Sequence, residues 1–259
     1  MPIGDYFKYL SRTPFGYFLN SVFGTLDLHS HIRLKPVKRF LTGNMDSNVY
    51  YRVIEIGCGV GLNMFEIAKI RKRFEYVGFD LDKNSINLAN ELLKKINFSE
   101  KIKFICADVT KYDFGHEDCF FDIVLLLDIL EHVENPVEIL KNLRQKITKD
   151  AVFIVSVPTP NYPKVFGRTF HEKIGHLRDG FTKIELENLF RQVNGKLIYY
   201  TYNTGVFSSL GCAIYYRILS NNSYLNMLNG IALSPFRFLD IYNSEKLSCS
   251  LFAVFRIQN

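Results

Sequence analysis

From Tyr50 to Pro158 the chain alternates short, almost wholly apolar runs with amphipathic helical patterns, a rhythm that few folds accommodate. YYRVIEI, EYVGFD, KIKFICAD, FDIVLLLD and AVFIVSVP read as strands. GLNMFEIAKIRKR, DKNSINLANELLKKI and NPVEILKNLRQKI read as helices, the last with proline in its first turn, where a missing N–H costs little. Strands this apolar need cover on both faces, so the pattern predicts an α/β fold, doubly wound around a mostly parallel sheet. Ligands of such a sheet bind outside the carboxyl ends of its strands.

Beyond Pro158 the rhythm changes. PTPNYPKVFGRTFHEKIGHLRDG reads as a long loop. TKIELENLFRQV follows as a helix, with Thr182 as N-cap and Glu185 completing a capping box. GKLIYYTYN and KLSCSLFAVFRI read as two final strands, and the stretch of about forty residues between them is too long for a hairpin. The expected division is a helical extension over 1–45, the main domain over 46–203 and 246–259, and an inserted aromatic-rich lid over 204–245.

Composition removes several classes of function. The net charge of +6 is scattered. Its densest basic run, KIRKRFEY at 69–76, reads as a solvated helix end, so no nucleic-acid partner is expected. The five cysteines show no CxxC pairing or ligand spacing, which fits a reducing cytoplasm and no metal site. The N-terminal segment carries Asp5, Lys8 and Arg12 and does not read as a signal peptide.

VIEIGCGVG, Val53 to Gly61, places glycines at 57, 59 and 61 directly after a strand and at the mouth of a helix. Glycine serves where the backbone turns with positive φ and where a ligand must approach without a Cβ in the way. Alone, the stretch admits a dinucleotide loop, another nucleotide-type loop or an empty turn; GxGxxG would need glycine where Leu62 stands. Asp80, ending the second strand, can accept both hydroxyls of a ribose. Asp108, ending the third, can accept from an adenine amine or simply form a turn.

VIEIGCGVG, GFDLD, CADV and FDIVLLLDILEHVENP, in this order and spacing, resemble class I S-adenosylmethionine-dependent methyltransferases, in the branch of the ubiquinone- and menaquinone-biosynthesis enzymes. The resemblance covers about Val49 to Pro158 and implies a Rossmann-like sheet of seven strands, the seventh antiparallel. It also implies S-adenosylmethionine as cofactor and S-adenosylhomocysteine as product. By that likeness Glu55, Gly57, Cys58, Gly59 and Gly61 surround the methionine part. Asp80 holds the ribose, Leu81 packs on the adenine, and Asp108 and Val109 read its edge. Leu127 and Asp128 lie beside the amine and the sulfonium.

The acceptor is less legible. The extension, the 159–181 segment and the insertion are all rich in aromatics with interspersed Arg and Lys. That composition suits a small-molecule, lipid-like or glycan acceptor, contact with a membrane surface, or a lid that buries its own rings. O-methylation is favoured, and a hydroxyl acceptor would use a general base near neutral pKa. His132 and His176 are the candidates, each also readable as a structural or substrate-contacting residue; His171 has less support. His29 and His31 on the extension could line the acceptor pocket or face water. A nucleotide-cofactor oxidoreductase and a non-catalytic cofactor-binding relative are the alternatives.

Overall fold

FDIVLLL shows directly why this sheet is covered on both sides. In β4 (Phe121–Leu127), Ile123, Leu125 and Leu127 enter one hydrophobic core while Val124 and Leu126 enter another. A strand has period two, so burial of both parities requires a layer on each face. The computed structural model describes residues 28–70, 73–96, 101–112, 120–214, 235–240 and 243–258. It supplies both layers. Helices α1 (Leu28–Asn44), α2 (Leu62–Ile70) and α3 (Lys83–Ile96) cover the first face; α4 (Pro136–Arg144) and α7 (Lys183–Arg191) cover the second.

The strands are β1 (Tyr51–Ile56), β2 (Phe74–Asp80), β3 (Ile102–Cys106), β4, β5 (Ile147–Pro158), β6 (Gly195–Tyr202) and β7 (Ser250–Ile257). They form one sheet in the order β3-β2-β1-β4-β5-β7-β6. The first five are parallel, and β7 lies antiparallel between β5 and β6. The seven-stranded, mostly parallel sheet with its antiparallel late strand is the fold expected above.

The 159–181 segment departs from expectation. It contains two short helices, α5 (Tyr162–Phe166) and α6 (Arg168–Lys173), where a loop was anticipated. Pro163 sits in the first turn of α5, where its missing N–H is no loss, and Gly167 breaks the two apart at φ 92°. Pro163 is a helix start here, while Pro158 ends β5 and Pro160 lies in the turn between. The capping box on α7 is present: Glu185 N–H donates to Thr182 Oγ1 at 3.2 Å and Thr182 N–H to Glu185 Oε2 at 2.8 Å.

A third, smaller core joins Ile32 of α1, Tyr162 and Phe166 of α5, Cys212 of α8 (Val206–Ile214) and Cys249. Phe236, from the one-turn helix α9 (Phe236–Leu239), packs against it. It sits over the carboxyl end of the sheet, because Tyr162 follows the end of β5 and Cys249 precedes β7. Pieces of the extension, the 159–181 segment and the insertion therefore meet. Residues 1–27 and 215–234, with the rest of those expectations, lie outside the described residues, as does Cys119. No helix among the described residues is long and apolar enough to cross a membrane.

Packing of this kind makes the centre of β4 sensitive. Leu126→Ala, at a fully buried position, should cost about 2–5 kcal/mol in urea unfolding. Ile184→Ala, on the exposed face of α7, should stay within about 0.5 kcal/mol of the parent protein.

Candidate active site

β1 has β2 on one side and β4 on the other, so the chain leaves β1 in one direction and returns to extend the sheet in the other. Ile56 pairs with Leu126, which puts the loops after β1 and β4 side by side. That reversal is where an open α/β sheet forms a crevice. Gly57, Gly59 and Gly61 adopt φ of 72°, 53° and 77° along the β1 rim. A Cβ on Gly59 would meet nothing within 4 Å, so backbone is presented to open space there.

The loop is tied to β2. Gly57 N–H and Cys58 N–H both donate to Phe79 O, at 2.8 and 3.0 Å. Asp80 Oδ2 accepts from Gly59 N–H at 2.7 Å and Oδ1 from Asp82 N–H at 2.9 Å. A carboxylate has roughly four acceptor positions, so capacity remains for a ligand. Beside it Leu81 is 74% exposed, an apolar side chain left in water at the rim. Asp108 forms a turn: Oδ1 accepts from the N–H and hydroxyl of Thr110, which hold its carboxyl below the usual range, and Oδ2 pairs with Lys111 at 3.5 Å. Val109 is buried behind it.

Glu55 and Cys58 lie beneath the loop. Glu55 is fully buried and accepts from Asn63 Nδ2 and from the Tyr76 hydroxyl. Burial pushes its acid up to about 7, against the opposing pull of the Asn63 hydrogen bond and Arg33. Burial likewise raises the Cys58 thiol, which stays protonated.

On the β4 rim, Leu127 is buried and Asp128 stands at φ 55°, uncommon for a residue with a side chain. It is held by its own N–H to Ser156 O at 2.8 Å, by the Ser156 hydroxyl at 3.0 Å, and by Arg33 Nη1 at 3.2 Å. Arg33 reaches over from α1, and its buried Nε–H has no hydrogen-bond partner. The same helix is anchored by Lys38, which with Lys69 pairs the buried Glu66 of α2. Arg33 therefore reaches the crevice from a fixed base.

One turn past Asp128, Glu131 is buried with its Oε2 unpartnered. Burial, then the charge of Asp128, raises its acid well above the carboxylate range. His132 Nδ1 lies 3.0 Å from Gly175 O, Leu177 N–H donates to Glu131 O at 2.9 Å, and Arg178 Nη2 to Glu134 O at 3.3 Å. These bonds stitch the β4 turn to the 175–178 loop. They bring His176 Nε2 to 3.9 Å from Glu131 Oε1 and the His132 and His176 rings to 4.8 Å. One nitrogen or oxygen from each of Glu131, His132 and His176 lies within 4.8 Å of the others. His171, the weaker candidate, is buried against His176 at 3.0 Å. Of His29 and His31 only the helical backbone is described.

Residues 47–221 match the sequence pattern of the methyltransferase domain. The chain belongs to the methyltransferase-domain family. It is 26% identical over 137 residues to a ubiquinone biosynthesis O-methyltransferase of Rickettsia prowazekii, covering 53% of this chain and 52% of that one. A (S)-tetrahydroprotoberberine N-methyltransferase of Eschscholzia californica is 30% identical over 103 residues, 40% of this chain and 28% of that protein. This methyltransferase-domain chain thus spans about half the length of the first and about a quarter of the second. Magnesium protoporphyrin IX methyltransferase from Synechocystis PCC 6803 with bound SAH shares the fold: TM-score 0.55, 13% identity, 87% of this chain and 81% of that one.

Arg33 and Glu131 join the site without a signal of their own in the local sequence. Glu131 stood inside the quoted DILEHVENP and was passed over for its neighbour. Arg33, in LHSHIRLKP, carries no local signal, because its partner is Asp128 in another element.

The buried Glu55 makes a pH prediction. Its acid moves from the ordinary 4.5 to about 7 on folding, so the folded protein keeps a proton that the unfolded chain releases. The stabilisation is full below the unfolded value and is lost as pH rises through about 7, up to about 3 kcal/mol. Glu131, displaced in the same direction, adds to the slope. Glu55→Gln should therefore lose less stability than the parent between pH 5 and 8 in paired unfolding titrations.

Proposed function

We propose that the chain transfers a methyl group from S-adenosylmethionine to a small-molecule acceptor, with a hydroxyl oxygen as the favoured acceptor atom. The pairing of Arg33 with Asp128 at the crevice carries this reading. A guanidinium with a spare buried N–H beside a carboxylate suits one anionic and one cationic group held close together, as in a free amino-acid head. A nicotinamide dinucleotide has no such head, which argues against the oxidoreductase alternative. Asp80 and the exposed Leu81, at the other rim, suit the ribose and the flat purine of the same molecule. The residues present fit the cofactor.

When bound, S-adenosylmethionine supplies a methyl carbon already activated by its sulfonium. The chain's task is then alignment and exclusion of water, which positioning alone largely achieves. Gly59, whose backbone faces open space, would let the methionine part approach, and Asp128 would hold its amine. The third core, which includes Tyr162, lies over the carboxyl end of the sheet, on the side where the crevice opens. Tyr162 is itself buried, and burial and then the charge of Asp128 raise its phenol, so it is a neutral wall. The name of the Rickettsia relative supports a hydroxyl acceptor. His132 and His176 are the bases in reach of the same turn.

S-adenosylhomocysteine should raise the melting temperature in a concentration-dependent way. Asp80→Ala should abolish the shift, and Arg33→Ala should weaken binding about ten- to a hundredfold by calorimetry, the worth of one charged hydrogen bond. An unchanged melting curve at millimolar ligand would sink the proposal. A labelled methyl donor offered to fractionated small-molecule, lipid and glycan extracts then identifies the acceptor pool.

A further inference from the structure

Tyr162 opens α5 just after β5 ends, and it is fixed at both backbone and ring. Its N–H donates to Thr159 O at 2.9 Å, and the Thr159 hydroxyl donates to Ser248 O at 2.5 Å, close to the start of β7. The ring centroid lies 4.3 Å from that of Phe166, 5.3 Å from His176 and 6.2 Å from His171. Only 7% of the residue is exposed. A ring packed on several sides leaves its hydroxyl little choice of direction.

That hydroxyl has no hydrogen-bond partner among the described residues. Buried tyrosine hydroxyls ordinarily find one, because an unmade hydrogen bond in the interior costs more than a made one gains. Glu131 Oε2 and Arg33 Nε also lack partners but are sealed off, whereas the Tyr162 hydroxyl keeps some open surface. Burial raises its phenol most, followed by Asp128, Cys212, Glu131 and Cys249. Two of these groups belong to the β4 turn and two lie in the third core, so the hydroxyl end stands where turn and core meet. Helix α1 spans the same junction, with Ile32 in the third core and Arg33 on Asp128. A phenol kept neutral there is a donor as well as a wall.

The crevice must seat two ligands, and the methyl donor has its own groups. Arg33, with its spare Nε–H, suits the donor's carboxylate, and Asp128 suits its amine. The unpaired hydroxyl at the junction is left for the other ligand. We propose that the Tyr162 hydroxyl is the hydrogen-bond donor that seats the acceptor's hydroxyl oxygen between the β4 turn and the third core. This rests on the O-methylation reading above and adds a specificity residue to it. An acceptor oxygen has two lone pairs, so one can take the Tyr162 O–H while the other stays free. A ligand of the same shape without that oxygen leaves the phenol unpaired, and the site therefore selects for hydroxyl-bearing acceptors. In the empty protein the hydroxyl contributes nothing to stability, which separates this role from a structural one.

The test begins with the ligand-free full-length protein. Tyr162→Phe should keep or raise its melting temperature; a fall of about 2–4 °C or more, the worth of one internal hydrogen bond, would show the hydroxyl bonded within the protein and overturn the proposal. The second arm titrates protein saturated with S-adenosylhomocysteine with two probe rings of one shape, phenol and fluorobenzene. Carbon-13 NMR at the tyrosine Cζ, with the Tyr162 resonance assigned by its loss in Tyr162→Phe, should show that resonance moving with phenol. Phenol should bind the parent protein about fivefold more tightly than fluorobenzene, and Tyr162→Phe should bring the two within about twofold. A resonance that phenol leaves unmoved, or a preference that survives Tyr162→Phe, overturns the proposal. So does a loss of S-adenosylhomocysteine affinity in Tyr162→Phe, which would assign the hydroxyl to the donor. If S-adenosylhomocysteine itself leaves the melting curve of the parent unchanged, the methyl-donor reading fails, and the ring titration without it still decides whether Tyr162 seats a hydroxyl.

Discussion

The parallel pairing of β1 with β4 is the constraint on which everything else hangs. With Ile56 opposite Leu126, the loop that follows β1 and the turn that follows β4 have no choice but to lie together. The first is bent open by glycines; the second carries Asp128 in a conformation a side chain rarely takes. A strained residue persists only where its surroundings over-determine it. Here three hydrogen bonds, two from Ser156 or to it and one from Arg33, do so. A one-residue slip of β4 would turn Leu125 and Leu126 onto the wrong cores, so the hydrophobic register also fixes where Asp128 stands.

The site was legible in the sequence where its chemistry is local. Glycines after a strand, and acids ending successive strands, are readable because the backbone conformation and the strand end are both decided within a few residues. Thr182 and Glu185 were readable for the same reason. Asp108 shows the limit of the method: both its duties suit one residue type, and the structure shows the turn hydrogen bonds to Thr110. The segment after β5 was misread because proline is a breaker inside a helix but a starter at its first turn, and sequence alone does not say which position Pro163 occupies.

Arg33 and Glu131 were not legible, and for one physical reason. Each acquires its role from a partner in a different element: Asp128 for Arg33, the 175–178 loop for Glu131. Charge on α1 looks like solvated surface until Lys38 and Arg33 are seen to face inward, onto Glu66 and Asp128. His171, near the middle of a basic loop-like stretch, offers no periodicity to mark it as buried.

The arrangement of acids follows from the same crowding. Arg33 draws on both Glu55 and Glu131 and pairs with Asp128, Arg178 draws further on Glu131, and burial still outweighs the two cations at both glutamates. Glu55 and Glu131, sealed from water, hold their protons to higher pH than a free carboxyl does, while Asp128, partly solvated and directly paired with Arg33, keeps the contact. S-adenosylmethionine would bring a carboxylate, an ammonium and a sulfonium, so the bound donor would add one net positive charge to the crevice. S-adenosylhomocysteine, which lacks the sulfonium, would bring one charge of each sign, so methyl transfer would remove a positive charge from the crevice beside Asp128. Asp128 and Glu131, on one turn, are therefore coupled: the charge that Asp128 would offer to a bound amine is part of what raises Glu131.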